Sequence, residues 1–129
     1  MIMKDSEFLF LGYRVSHFDL DIKSSFIPGD NKFIQKVHVQ HGFTDDDSRF
    51  VEVQLDISIK TEDDSLSIRV IIQGGFKGPA DMTDDLFKIM YTVNAPAILY
   101  PLVRAYVATC TSQSGIPAII LPLVNLTES

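Results

Sequence analysis

Several groupings of side chains in the sequence invite chemistry. His38 and His41 stand shortly before Asp45, Asp46 and Asp47, a donor set suited in type to a divalent cation. On an extended strand, residues three apart point to opposite faces, so the two imidazoles cannot share one ion. The stretch reads as a strand entering a solvated acidic turn. Gly74-Gly75 would suit a phosphate loop, but no Lys-Ser/Thr pair follows. Paired glycines there fit a bulge or strand end where backbones approach closely. Cys110 is the sole cysteine and has no His or Lys beside it in sequence, so it reads as a packed thiol. Ser, His and Asp all occur, yet no nucleophile motif such as G-x-S-x-G arranges them. The sequence organises no catalytic group and implies neither a metal nor a cofactor, so it reads as a protein that is not an enzyme.

Composition narrows the remaining classes. At 129 residues, one domain over 1–129 is expected, with 46% apolar and 22% charged residues as in ordinary soluble proteins. The net charge of −6 argues against general affinity for nucleic acid or anionic membrane, both of which need basic patches. A single cysteine permits no internal disulfide and fits a reducing compartment. The start, MIMKDSEF, has no basic region followed by a long apolar run, and apolar stretches elsewhere are interrupted by Pro, Arg or polar residues. A cytoplasmic protein without membrane insertion is expected.

The elements follow from hydrophobic period. Leu9, Leu11, Tyr13 and Val15 alternate on one strand face, and then Phe18, Leu20 and Ile22 continue one residue out of phase. Such a slip predicts a bulge near Ser16–His17. SSFIPGDN, 24–31, reads as a loop that carries the apolar Phe26 and Ile27. A second strand follows, with Phe33, Val37, Val39 and Phe43 opposite Lys36, His38 and Gln40. The third strand alternates Val51, Val53, Leu55, Ile57 and Ile59 with polar residues, and the fourth carries Leu66, Ile68, Val70 and Ile72. One face of this sheet is dry and the other wet. Thr83 suits a helix cap with Asp84 and Asp85 in the first turn, and Asn94 offers a second cap with Pro96 just inside. That second helix is expected to run to about Gln113 and stop at Gly115, with a kink at Pro101. Strands followed by helices make an α+β fold: a four-stranded antiparallel meander, a short helix and a long one.

The long helix is apolar almost all round. One face covers the sheet; the other still carries Ile98, Tyr100, Leu102, Tyr106 and Cys110. In water that surface calls for a partner, and a second copy of the chain is the economical one.

QGGF, 73–76, and APAILYPLVRAYVATCTSQSG, 95–115, resemble the SecB family of bacterial protein-export chaperones, whose long helix carries a C-P-N-I-L-F-P-Y-A-R-E pattern. Pro96, Ile98, Leu99, the aromatic Tyr100, Pro101 and Arg104 keep its register. The tail IPAIILPLVNL, 116–126, keeps the family's proline and Val124-Asn125. The resemblance implies a sheet with a long helix on one face, assembled as a dimer of dimers. It implies a holdase that binds unfolded or precursor proteins without ATP and supports export. The implied groove residues are Phe26 and Ile27 in the loop, Phe33, Val37 and Val39 on the second strand, and Leu121 and Leu123 in the tail. The translocase motor SecA docks on acidic residues of the outer sheet face in this family, which points here to Asp19 and Asp21, with His17 and Val70 standing at other such places. The family's second helix beyond the tail has no counterpart before Ser129. Some SecB-like proteins instead protect the antitoxin of a toxin–antitoxin pair, so a dedicated antitoxin partner, or an interaction module of the same fold, is the alternative.

Overall fold

The computed structural model describes residues 8–44 and 49–122. Period-two patterning gives the strands β1 (Leu9–Ile22), β2 (Phe33–Phe43), β3 (Phe50–Thr61) and β4 (Leu66–Lys77). All pairings are antiparallel, in the order β1-β4-β3-β2. The fold is α+β as expected. The meander, however, runs only through β2, β3 and β4, while β1 lies on the far edge beside β4. The segment after β1 crosses the end of the β3–β4 hairpin to reach β2. Lys23 N–H bonds to the Ser65 carbonyl at 2.8 Å, and Glu62 N–H to the Lys32 carbonyl at 3.3 Å. Buried Thr61 holds that hairpin end, its Oγ1 accepting from Ser65 N at 2.9 Å and Leu66 N at 3.1 Å. The turn at 45–48 lies outside the described residues.

The register of β1 shifts between Val15 and His17, where the apolar phase slips in the sequence, and again between Phe10 and Gly12. The second shift corrects the reading of the strand's start. Phe10 opposes Phe76 and Tyr13 opposes Gly74, so these face the core side; Leu9 opposes exposed Lys77 on the other face. A run of alternating and adjacent apolar residues hides a one-residue insertion, because both phases look equally dry.

The helical part starts as the sequence dictates. Thr83 Oγ1 accepts the Leu86 N–H at 3.2 Å, with Asp84 and Asp85 in the first turn of α1 (Asp84–Ile89). Asn94 makes no cap. A π-helical turn, Met90–Asn94, joins α1 directly to α2 (Ala95–Gln113). Pro96 occupies the first turn of α2, Pro101 lies exposed inside it, and Gly115 ends it at φ 86°. By length and composition the whole run Asp84–Gln113 would serve as a membrane span, contrary to the interrupted pattern read from the sequence, because α1 and α2 join without a break. One face of it is core instead: Ala95, Leu99, Val103 and Val107 are fully buried against Val53, Leu55, Val70 and Ile72. Each such leucine, isoleucine or valine contributes about 1.5–3 kcal/mol by leaving water, and the alanine less.

Candidate functional site

An α-helix with its side chains is about 10 Å wide, and strands lie about 4.8 Å apart. One helix therefore covers the two central strands and leaves the edges uneven. α2 packs on β3 and β4, whose inward residues are buried. Val15, Phe18 and Leu20 on β1, and Phe33, Val37 and Val39 on β2, are only partly buried. Two apolar flanks run alongside the helix, one over each edge strand.

The β2 flank is the richer. After Gly115 the tail turns back along α2 and drives Ile119 and Leu121 into the core, while Ile120 stays 60% exposed. Side chains of α2 hold its backbone. Thr111 Oγ1 accepts the Ile119 N–H at 2.9 Å, Arg104 Nε donates to the Leu121 carbonyl at 3.0 Å, and the Tyr100 hydroxyl donates to the Pro122 carbonyl. At the mouth, a cavity of about 110 Å³ is lined by Phe26, Pro28 and Phe33 on one side and by Pro117, Ala118 and Ile119 on the other. The structure thus brings Phe26 and Phe33 together with the tail. Ile27 points out, 77% exposed. Val37 and Val39 continue the flank along β2. Leu121 is fully enclosed, and Leu123 lies outside the described residues.

Gln35 and Thr111, which hold this flank together with Arg104, were not singled out from sequence. A signal existed: each is polar at a position whose period calls for an apolar residue. Gln35 shares the inward phase of β2 with Phe33 and Val37, and its Nε2 donates to the Tyr100 hydroxyl at 2.9 Å. His41 shares that phase too, opposite in direction to exposed His38. Its ring meets Tyr91 edge-on at 5.0 Å, burial pushes its pKa down, and a bond to the Tyr91 backbone opposes that.

The outward side of the helices is a separate surface. Ile98 and Tyr106 are 38% and 37% exposed, with Leu102 and Cys110 half-buried beside them. Tyr106 also packs edge-on to Phe18 at 5.2 Å, closing part of the β1 flank. Tyr100 departs from the expectation that it faces a partner subunit. It is 5% exposed, because its helical phase carries it over β2 to Gln35 and the tail.

The sheet's other face is polar. Arg69 grips Asp56 through two bonds of 3.1 and 2.7 Å, which holds the Asp56 carboxyl below the usual carboxylate range. Gln40, Gln54 and Gln73 form an amide ladder at 3.0 Å spacings. Asp19 and Asp21 are exposed here, Asp19 paired to His17 at 2.7 Å. Val70 does not belong to this face; it is fully buried on the core side, and Arg69 stands outward in its place.

The family model for SecB, preprotein translocase subunit SecB, matches residues 29–128. The chain belongs to the SecB family. A curated relative, protein-export protein SecB of Sphingopyxis alaskensis, is 28% identical over 75 residues, 58% of this chain and 44% of that protein. The matched stretch is thus less than half of the relative's length. Among solved structures, a SecB-like chaperone of Mycobacterium tuberculosis in complex with a ChAD peptide from the HigA1 antitoxin superposes with a TM-score of 0.72. It shares 11% identity over 91% of this chain and 87% of the other. A protein of unknown function from Streptococcus agalactiae gives a TM-score of 0.52 at 17% identity, covering 92% and 98%. At these identities the two structures speak for the SecB fold alone.

Proposed function

We propose that this SecB-family protein is a chaperone of the holdase type. It takes up unfolded or precursor polypeptides on the apolar flanks of α2, without ATP and without a cofactor, in the cytoplasm. The observation that carries the reading is the uncovered apolar surface where three segments converge: the crossing loop with Phe26 and Ile27, the inner face of β2 with Phe33, Val37 and Val39, and the tail at Pro117 and Ala118. An unfolded chain offers scattered apolar side chains and unpaired backbone groups, and such a surface meets both. Binding the unfolded state keeps it from aggregating by mass action alone. Support comes from the family match. Self-association through Ile98, Leu102, Tyr106 and Cys110 belongs to the same reading, as a dimer of dimers. Delivery to SecA through Asp19 and Asp21 would have to compete with the pairing of Asp19 to His17, on a face that Arg69 and Lys36 share.

The test is direct. A slow-folding protein is diluted from denaturant with and without a stoichiometric excess of this chain, and aggregation is followed by light scattering. The proposal expects suppressed scattering, and an unchanged trace rejects it. A second reading is favoured by the antitoxin peptide held by the M. tuberculosis neighbour: service to one dedicated antitoxin. A pull-down that returns one partner rather than many unfolded chains selects it.

A further inference from the structure

The tail after α2 is fastened unlike any other described segment. Among the described residues, Ile116 to Pro122 takes part in no backbone–backbone hydrogen bond. Its backbone is gripped instead by three side chains of α2: Thr111, Arg104 and Tyr100. Offsets of four and seven residues put these three within about 40° of one another on the helix. The tail runs antiparallel to them, so that residue 119 meets Thr111 and residue 122 meets Tyr100. Side chains alternate as in any extended strand: Ile119 and Leu121 enter sockets at 8% and 0% exposure, and Ile120 points away at 60%.

This is a seat for an extended peptide. It reads the main chain through fixed side-chain donors and acceptors and reads sequence through two alternate apolar sockets. It requires an N–H at the first apolar residue and carbonyls at the second and at the residue after. One fitting of the seat is unused. The Tyr100 hydroxyl gives its proton to the Pro122 carbonyl, so the neighbouring Gln35 must present Nε2 to that hydroxyl, which fixes the amide's orientation. Gln35 Oε1 is then left buried with no partner among the described residues. Buried acceptors are ordinarily paired. The tail brings a proline to this place, and proline has no N–H to offer.

We infer that the seat of residues 116–122 is a recognition site for extended apolar segments of the form apolar–any–apolar, filled in the free protein by the chain's own tail. Unfolded polypeptides enter by exchange with the tail. An emptied seat costs Thr111, Arg104 and Tyr100 their bonds to the tail, so the tail leaves as a replacement arrives. A segment with a residue other than proline after the second apolar position brings the N–H that the tail lacks. This inference rests on the holdase reading and adds to it a built-in competitor and a sequence preference.

The chain has no tryptophan, so Ile120→Trp in the full chain gives a lone reporter on the exposed side of the tail. Its anisotropy is followed while three peptides are added: IPAIILP, the same with Pro122→Ala, and the same with Leu121→Asp. A reduced, unfolded client carrying its own dye is added in a separate titration. The exchange predicts falling anisotropy with the first peptide and the client. The second peptide reaches the same fall at about fivefold lower concentration, the worth of one added hydrogen bond. The Asp peptide has no effect. A client that binds by its own dye while the indole anisotropy of the tail stays constant overturns the exchange and leaves the holdase reading standing. A client that does not bind at all overturns both.

Discussion

A Cβ placed on Gly74 would lie 2.7 Å from Leu99 Cδ2 and 3.3 Å from its Cδ1. Both methyls of a fully buried leucine thus rest on the bare backbone of β4, and this contact sets how closely α2 approaches the sheet. Gly75, one residue on, faces the other way; a Cβ there meets only Phe50 at 3.5 Å and Leu11 at 3.8 Å, ordinary contact distances. Gly74→Ala is therefore expected to cost about 1–3 kcal/mol by overpacking, and Gly75→Ala far less. Urea denaturation of the two variants checks this: equal midpoints would mean that α2 does not depend on the glycine for its seat.

The pairing of Gly74 with Leu99 shows how legibility divides along this chain. That two glycines mark a close approach could be read from sequence; that only one of them meets the helix could not, because it depends on which face each presents. β3 and β4 were legible throughout, since Val51 to Ile59 and Leu66 to Ile72 alternate without a break. In β1 the slip at Ser16 was legible because polar residues frame it, and the slip at Leu11 was not, because Leu9, Phe10 and Leu11 are apolar in either phase. The π turn erased the expected cap at Asn94: one added residue shifts the helical phase without changing composition. The groove residues in the loop and on β2 were reached through family resemblance. The fastening of the tail by Thr111 and Arg104 depends on contacts between segments far apart in sequence.

Thr111 makes the tail's first attachment a stability question as well. It is fully buried, donates to the Val107 carbonyl at 2.8 Å and accepts the Ile119 N–H at 2.9 Å. Thr111→Val keeps the shape and removes the acceptor, which leaves that N–H orphaned in the core. A loss of about 1–3 kcal/mol is expected. Thr111→Ser, which retains the oxygen, should recover most of it. Thermal melts of the three proteins decide the point, and a valine variant as stable as the native chain would show the attachment to be dispensable.

His41 gives the fold a pH dependence in the mildly acid range. Its Nε2 is buried without a partner among the described residues, and burial lowers its pKa below the ordinary 6.5. The unfolded chain then binds the proton more readily than the folded one, so acid favours unfolding. Stability is fully present above pH 6.5 and is lost as pH falls from there towards the lowered folded value. Asp56 and Asp63 also have lowered pKa values, Asp56 chiefly through its bond to Arg69 and Asp63 chiefly through its bond to Ser65. Their contributions are present above their ordinary 3.8 and fade only below it, outside this window. Denaturation midpoints at pH 7.5 and 5.5 are expected to differ in the native chain and to converge in His41→Phe. A histidine variant that keeps the full acid loss would assign it elsewhere.

The outward helix face makes the strongest prediction about assembly. Leu86, Ile89, Val93, Ile98 and Tyr106 are each between 37% and 52% exposed, and Leu102 lies between the last two. Their spacings are three, four, five, four and four residues. The step of five begins inside the π turn Met90–Asn94, whose wider coil turns the apolar residues after it back toward the side of those before it. A stripe some six turns long, exposed on an isolated chain, is what a helix-to-helix contact between copies requires. Such a contact is self-complementary under a two-fold axis, so one substitution acts twice. Ile98→Asp places two carboxylates in each contact, and Leu102→Asp with it four; the double variant is expected as the 14.4 kDa monomer in light scattering, with the strand signal in circular dichroism intact. Assemblies that survive both substitutions would mean that the copies meet through another surface and that the stripe has a different occupant.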